Sequence, residues 1–257
     1  MFGAKWSGTT NGSKNCRKAK VQPDLRRRGG EVNDFENFFR EFVRDFGGEF
    51  VAEGDEKSAD FVFRQDNVIA ELKTLQKDAR LEHAEKVQQL ANDWMRRGLV
   101  LLYGRPRISL RALPPVCQKE WLQVLIPPVE NIIRKANQQI RSSKDALSLP
   151  QASGLLLIAN DGNFLHTEPA DYLNIVALVL KKKDSNGKPK FPHIDGIVYF
   201  SYRVASSNEP FPFWAPAHVH PDDTEVISFQ EKLRAGWFSY VARVNGIPVY
   251  GVSRKIE

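Results

Sequence analysis

The stretch Ser58–Asp78, SADFVFRQDNVIAELKTLQKD, decides the fold. ADFVF and NVIAELKTL read as two apolar strands rich in β-branched and aromatic residues, joined by Arg64-Gln65-Asp66-Asn67. A hairpin that buries one face has little room for charge there. Yet Asp60 opens the first strand, and Glu71 and Lys73 lie near the end of the second. Residues two apart on a strand share a face, so Glu71 and Lys73 point the same way as Ile69. A two-residue turn at Gln65-Asp66 puts Asp60 opposite Glu71. A turn at Asp66-Asn67, the better match to turn preferences, puts it opposite Lys73. Either register gathers all three charges on one face, whereas a three-residue loop would send Asp60 to the other.

Facing like charges destabilise a strand pair. A hard divalent cation resolves the conflict, because Mg2+ accepts one or two carboxylates and keeps several waters. Such an ion polarises a phosphoryl oxygen and acidifies a bound water. A lysine beside it orients or deprotonates the attacking water, or stabilises charge in the transition state. A Glu-x-Lys triplet alone arises about once by chance in a chain of this length, and an exposed Asp–Lys pair is an ordinary cross-strand ion pair worth ~0.5 kcal/mol. The weight therefore rests on context: the triplet ends a strand and the aspartate opens the preceding one.

Outward from the hairpin, helices alternate with strands. DFENFFREFVRDFGG places Phe35, Phe38, Phe39, Phe42, Val43 and Phe46 on one helical face, with Asn33 and Glu36 as a capping-box pair and Gly47-Gly48 as the stop. GEFVAEG is a short strand. LEHAEKVQQLANDWMRRG is an amphipathic helix turning Leu81, Ala84, Val87, Ala91, Trp94 and Met95 inward. LVLLYG reads as a strand, and the proline-rich 105–128 takes no assignment. VENIIRKANQQIRSS is a helix. GLLLIANDG is a strand covered on both faces. TEPADYLNIVALVLKKK is a helix with Thr167 as cap and Pro169 in its first turn. KKDSNGKPK is a basic turn, IDGIVYFSY a strand, and PFPFWAPAHVHPDD a loop or edge strand. DTEVISFQEKLRAGWFSYVARV is a long helix with a weak spot at Gly236, and IPVYGVS a last strand. The pattern predicts an α/β fold with a mixed central sheet and helices on both faces. It forms a single domain over 31–257 with an insertion at about 99–150.

Hydrophobic content of 42% and charged content of 26% fit a soluble globular protein, and no apolar run approaches the ~20 residues of a membrane span. MFGAKWSGTTNGSKN lacks the apolar core of a signal peptide. Cys16 and Cys117 suggest neither a disulfide framework nor a metal-ligand spacing. A cytoplasmic location is expected. The net charge of +6 is unevenly spread: residues 1–30 carry eight Lys/Arg against Asp24, and the remainder carries 29 basic against 30 acidic groups. The 1–30 arm is rich in Gly, Ser, Asn and Thr and is expected to be disordered alone. Arg17, Lys18, Lys20, Arg26, Arg27 and Arg28 would tether it to phosphate backbones. A solubilising tail or a surface for a partner protein is an equal reading.

The order helix–strand–strand–strand–helix–strand, with Asp60 on the second strand and Glu71-Leu72-Lys73 on the third, resembles the PD-(D/E)xK nuclease superfamily and its restriction-endonuclease-like αβββαβ core. The resemblance covers roughly 31–98 plus GLLLIAN as fourth strand. Ser58-Ala59 replaces the usual proline before the aspartate, and the gap before the fourth strand is long. The resemblance implies a Mg2+-dependent endonuclease acting on DNA, with Mn2+ able to substitute. Asp60 and Glu71 would hold the ion, with the Leu72 backbone carbonyl as a possible third ligand. Lys73 would serve the attacking water. Glu36 on the first helix would bind a second metal or a metal-bound water. Gln88 is a weak candidate for a supporting polar residue, and double-strand cutting would favour a homodimer. The alternative is a catalytically inactive nucleic-acid or partner-binding module on the same fold.

Three further groups have bland readings. His218 and His220 with Asp222 and Asp223 could bind Zn2+ but read as a polar loop. Asn160-Asp161-Gly162 reads as a turn. Arg134, Lys135, Arg141, Lys144, Lys181–Lys183, Lys188 and Lys190 could meet phosphates or simply be solvated helix ends.

Overall fold

The computed structural model describes residues 34–51, 58–75, 79–102, 112–161, 169–201, 213–220 and 222–246. The phenylalanine stripe forms α1 (Asp34–Phe46), which burying Phe35, Phe39, Phe42 and Val43 holds against the sheet. Gly47 ends it in the left-handed region, at φ 89°. The strands are β1 (Glu49–Phe50), β2 (Phe61–Phe63), β3 (Val68–Leu75), β4 (Ser153–Asn160), β5 (Gly196–Ser201) and β6 (Phe213–His218). They form one mixed sheet in chain order: β1, β2 and β3 antiparallel, β3, β4 and β5 parallel, and β6 antiparallel to β5. The remaining helices are α2 (Ala79–Arg96), α3 (Pro115–Ala146), α4 (Pro169–Leu180) and α5 (Thr224–Asn245). The chain is thus an α/β protein, with five helices and a six-stranded mixed sheet among the described residues.

Alternation along the strands sorts the core into two layers. Val62, Ile69, Leu156, Ile158, Ile197 and Tyr199 face α3 and α4. Phe61, Ala70, Leu72, Leu157, Val198 and Phe200 face α1 and α5, where Phe39, Phe42 and Trp237 form an aromatic cluster with centroids 5.1–5.4 Å apart. Gly236 is no weak spot in α5. A Cβ there would lie 2.7 Å from the Phe46 ring, so the glycine permits α1 and α5 to approach closely.

The hairpin register is Phe61↔Ala70, Val62↔Ile69 and Phe63↔Val68. This is the register of the Gln65-Asp66 turn, not of the preferred Asp66-Asn67 turn. The connection is a 3-10 turn, Arg64–Asp66, closed by Asn67 in the left-handed conformation. Long-range contacts hold it there: Asn67 Nδ2 donates to the Gln151 carbonyl (3.1 Å), and the Asn67 carbonyl accepts from Ser153 N–H (2.9 Å).

Three other expectations are corrected. Leu99–Leu102 form no strand; Leu99 and Val100 pack beside Trp94, Leu113 and Cys117, while Leu101 is exposed. Met95 faces outward from α2. The unassigned proline-rich region contains the first half of α3, which continues through Pro127 and Pro128. Its second half buries Val129, Ile133, Ala136 and Ile140 against the sheet. Asn33, Thr167, the arm 1–30 and IPVYGVS (247–253) lie outside the described residues. No helix among the described residues is long and apolar enough to cross a membrane.

Candidate active site

Continuing the hairpin register by one pair places Asp60 opposite Glu71, so both carboxyls stand on the α3/α4 side of the sheet with Lys73 two residues on. Asp60 immediately precedes β2, and its Oδ2 accepts from the Leu72 N–H at 2.8 Å. The chain entering β2 is strapped to α3 just before Asp60, through both ends of the Ser58–Ala59 peptide. Ala59 N–H donates to Ser143 Oγ (2.7 Å), and Gln139 Nε2 donates to the Ser58 carbonyl (3.1 Å). Gln139 Oε1 in turn accepts from Lys73 Nζ at 2.9 Å, and Lys73 also donates to Glu71 Oε1. Sequence reasoning missed Gln139. It lies 66 residues from Lys73, and nothing local marks one glutamine of NQQ as inward.

Glu71 is only 1% exposed, among Leu156 and Ile158 of the neighbouring strand. Burial pushes its carboxyl up to about 8, and the nearby Asp60 charge adds to this; Lys73 opposes it without cancelling it. Asp60 is raised for the same first reason, burial, against the Leu72 N–H, Lys73 and more distant Arg40. Two carboxyls in contact are joined by a proton, and the environment favours keeping one on Glu71. Glu71 Oε2 is buried and accepts from no donor among the described residues. Two carboxyls held together by a shared proton are a donor set that suits a hard cation, which would take the proton's place.

Glu36 is set apart from this pair. It projects from α1, on the other face of the sheet, where Thr74 Oγ1 donates to Glu36 Oε1 at 3.4 Å. It does share a small cleft of about 50 Å³ with Arg40, Asp60, Phe61 and Leu72. Asp60 is therefore the point where the α1 cleft and the buried pair meet. Among the described residues, no three His, Cys, Asp or Glu side chains stand close enough to share one ion. Gln88 is exposed on α2 and donates to Asn92, one turn on, at 2.9 Å. The amide beside Lys73 is that of Gln139.

Several of the remaining candidates have structural partners. Asp223 caps α5 by accepting from Val226 N–H (3.1 Å), and His218 ends β6 opposite Gly196. Asn160 ends β4 and donates to the Tyr199 hydroxyl (2.7 Å). Lys182 and Lys190 both grip Glu130 of α3, at 2.6 and 2.8 Å, and this holds the Glu130 carboxyl below its usual range. Lys144 pairs with Asp195 at 3.7 Å. The basic residues Arg17, Lys18, Lys20 and Arg26–Arg28 lie outside the described residues. No protein-family model, no curated protein and no solved structure matches the chain.

Proposed function

We propose that the chain is a metal-dependent endonuclease that hydrolyses DNA phosphodiesters, built on a restriction-endonuclease-like core of the PD-(D/E)xK type. One observation carries the reading: Asp60, buried Glu71 and Lys73 converge at one point of the sheet, and Glu71 Oε2 accepts no hydrogen bond. A merely structural Glu71–Lys73 ion pair has no need of the second carboxyl that Asp60 brings against it. The element order, antiparallel through β3 and parallel from β3 to β4, fits the same core.

In this reading Asp60 and Glu71 hold Mg2+, with the Leu72 carbonyl as a third oxygen and Mn2+ as a substitute. When bound, the ion supplies Lewis-acid polarisation of the phosphoryl oxygen and a more acidic water. Asp60 stays in place because the Leu72 N–H and the α3 strap at Ser58 and Ala59 fix its backbone and carboxylate. Lys73 is held between Glu71 and Gln139, which aims its ammonium where a water or a developing negative charge would sit. Glu36 reaches the same cleft from α1 and would hold a water or a second ion.

The decisive test is cleavage of linear, supercoiled and single-stranded DNA with Mg2+ or Mn2+, comparing wild type with Lys73→Ala and an EDTA control. Metal-dependent cutting lost in the variant is expected. Absence of cutting on every substrate, with no metal bound, would favour the alternative of an inactive nucleic-acid or partner-binding module. The observation on that side is the absence of a three-acid cluster among the described residues.

A further inference from the structure

We propose that Arg40 and Arg44 of α1, oriented over the ring of Phe50, form a phosphate clamp that takes successive phosphates of a DNA strand entering the Asp60 cleft. The proposal rests on the nuclease reading above and adds the surface that receives the substrate. Arg40 and Arg44 are one helical turn apart, so their side chains leave the same face of α1. Both are exposed. Their guanidinium carbons lie 5.7 Å and 5.6 Å from the centroid of the Phe50 ring. Neither makes an ion pair or hydrogen bond among the described residues. Several other surface cations are paired: Arg64 with Glu49, Arg97 with Glu120, Arg243 with Asp45 and Lys232 with Asp66.

Phe50 is an unusual neighbour for two cations. It sits on a two-residue edge strand, is 38% exposed, and has Phe61 as its ring partner at 5.9 Å. A ring there adds little to the core. It does hold two planar guanidiniums in a narrow range of orientations, which reduces the rotamer entropy lost when they grip an anion.

Position supplies the second argument. Arg40 lines the cleft together with Glu36, Asp60, Phe61 and Leu72. A cleft carrying two acids, with Glu71 behind, repels phosphate, so the substrate backbone must be fixed by cations at its rim. Arg40 stands at that rim and Arg44 one turn outside it. The pair therefore tracks a strand outward from the scissile position and forks onto its phosphates as guanidinium does.

The test is equilibrium binding of a duplex oligonucleotide by the full chain in EDTA, where no cleavage occurs, over a salt series of roughly 50–200 mM. Arg44→Gln should lower the slope of log K against log[salt] by about 0.9, and Arg40→Gln with Arg44→Gln together by about 1.8. Phe50→Leu should weaken binding about two- to five-fold with the slope retained, since it removes only the orienting ring. Lys119→Gln, an exposed cation near the start of α3, should leave the slope at its wild-type value. Thermal melting checks that each variant is folded. A wild-type slope in the double variant overturns the clamp. If Mg2+-dependent cleavage by the wild type is then still lost in Lys73→Ala, the clamp alone has failed. A wild type that neither binds nor cuts DNA overturns both.

Discussion

Replacing Glu71 with glutamine keeps the shape of the side chain and removes its ionisable proton. In the folded chain Glu71 holds that proton up to about pH 8; in the unfolded chain it is released near the ordinary 4.5. Between those values the folded state binds more protons than the unfolded one. Stability therefore falls as pH rises through the window and levels off above it. At about 1.4 kcal/mol per pH unit the whole window corresponds to on the order of 5 kcal/mol. Asp60, also raised, acts in the same direction. Solvent screening takes little from this, because Glu71 is 1% exposed. Glu71→Gln should match the wild type near pH 5 and exceed it by several kcal/mol at pH 9. Urea unfolding at pH 5, 7 and 9 measures the difference. Mg2+ at about ten times its dissociation constant should stabilise the wild type by ~1.4 kcal/mol and the variant far less. A difference between the two proteins that stays constant with pH would refute the assignment of Glu71 as a destabilising buried acid.

Other substitutions test the scaffold. In Gly154→Ala the new Cβ would lie 1.9 Å from the His193 carbonyl oxygen, a backbone atom with no room to yield; a loss of about 3 kcal/mol is expected from the urea midpoint. Asp223→Ala removes the acceptor for Val226 N–H at the start of α5 and should cost ~1 kcal/mol. Gln139→Leu leaves Lys73 with Glu71 alone and the Ser58 carbonyl without its donor. On the proposed nuclease reading, DNA cleavage should fall roughly 10- to 100-fold, as for lost supporting hydrogen bonds at metal sites, with kcat rather than KM affected.

The layered α/β architecture was legible because its signals are periodic. The phenylalanines of α1 recur at helical spacing, and the unbroken apolar run Leu155–Ile158 marks a strand buried on both faces. The convergence of Asp60, Glu71 and Lys73 followed from parity alone, which both candidate registers share. The register itself was not local information. Turn preference favoured Asp66-Asn67, but Asn67 is fixed by contacts to Gln151 and Ser153, which no hairpin rule contains. The first half of α3 was hidden by Pro127 and Pro128. Both are exposed, while Leu125 and Val129 on the other side of the helix stay buried, so the prolines fall on the face turned away from the sheet. Gln139 was illegible for a simpler reason: its partners are set by how α3 lies on the sheet.

The strap from α3 also orders events in time. Asp60, Glu71 and Lys73 fall within a span of 14 residues, but Gln139 and Ser143, which hold that span in place, follow Lys73 by 66 and Ala59 by 84 residues. A growing chain carries all three charged groups long before the helix that aims them has been made. Loop closure over that distance must be met before the site has its geometry. The placing of Lys73 against Gln139 then becomes a report that α3 has docked, and a fragment ending before α3 holds the three charged residues without their arrangement.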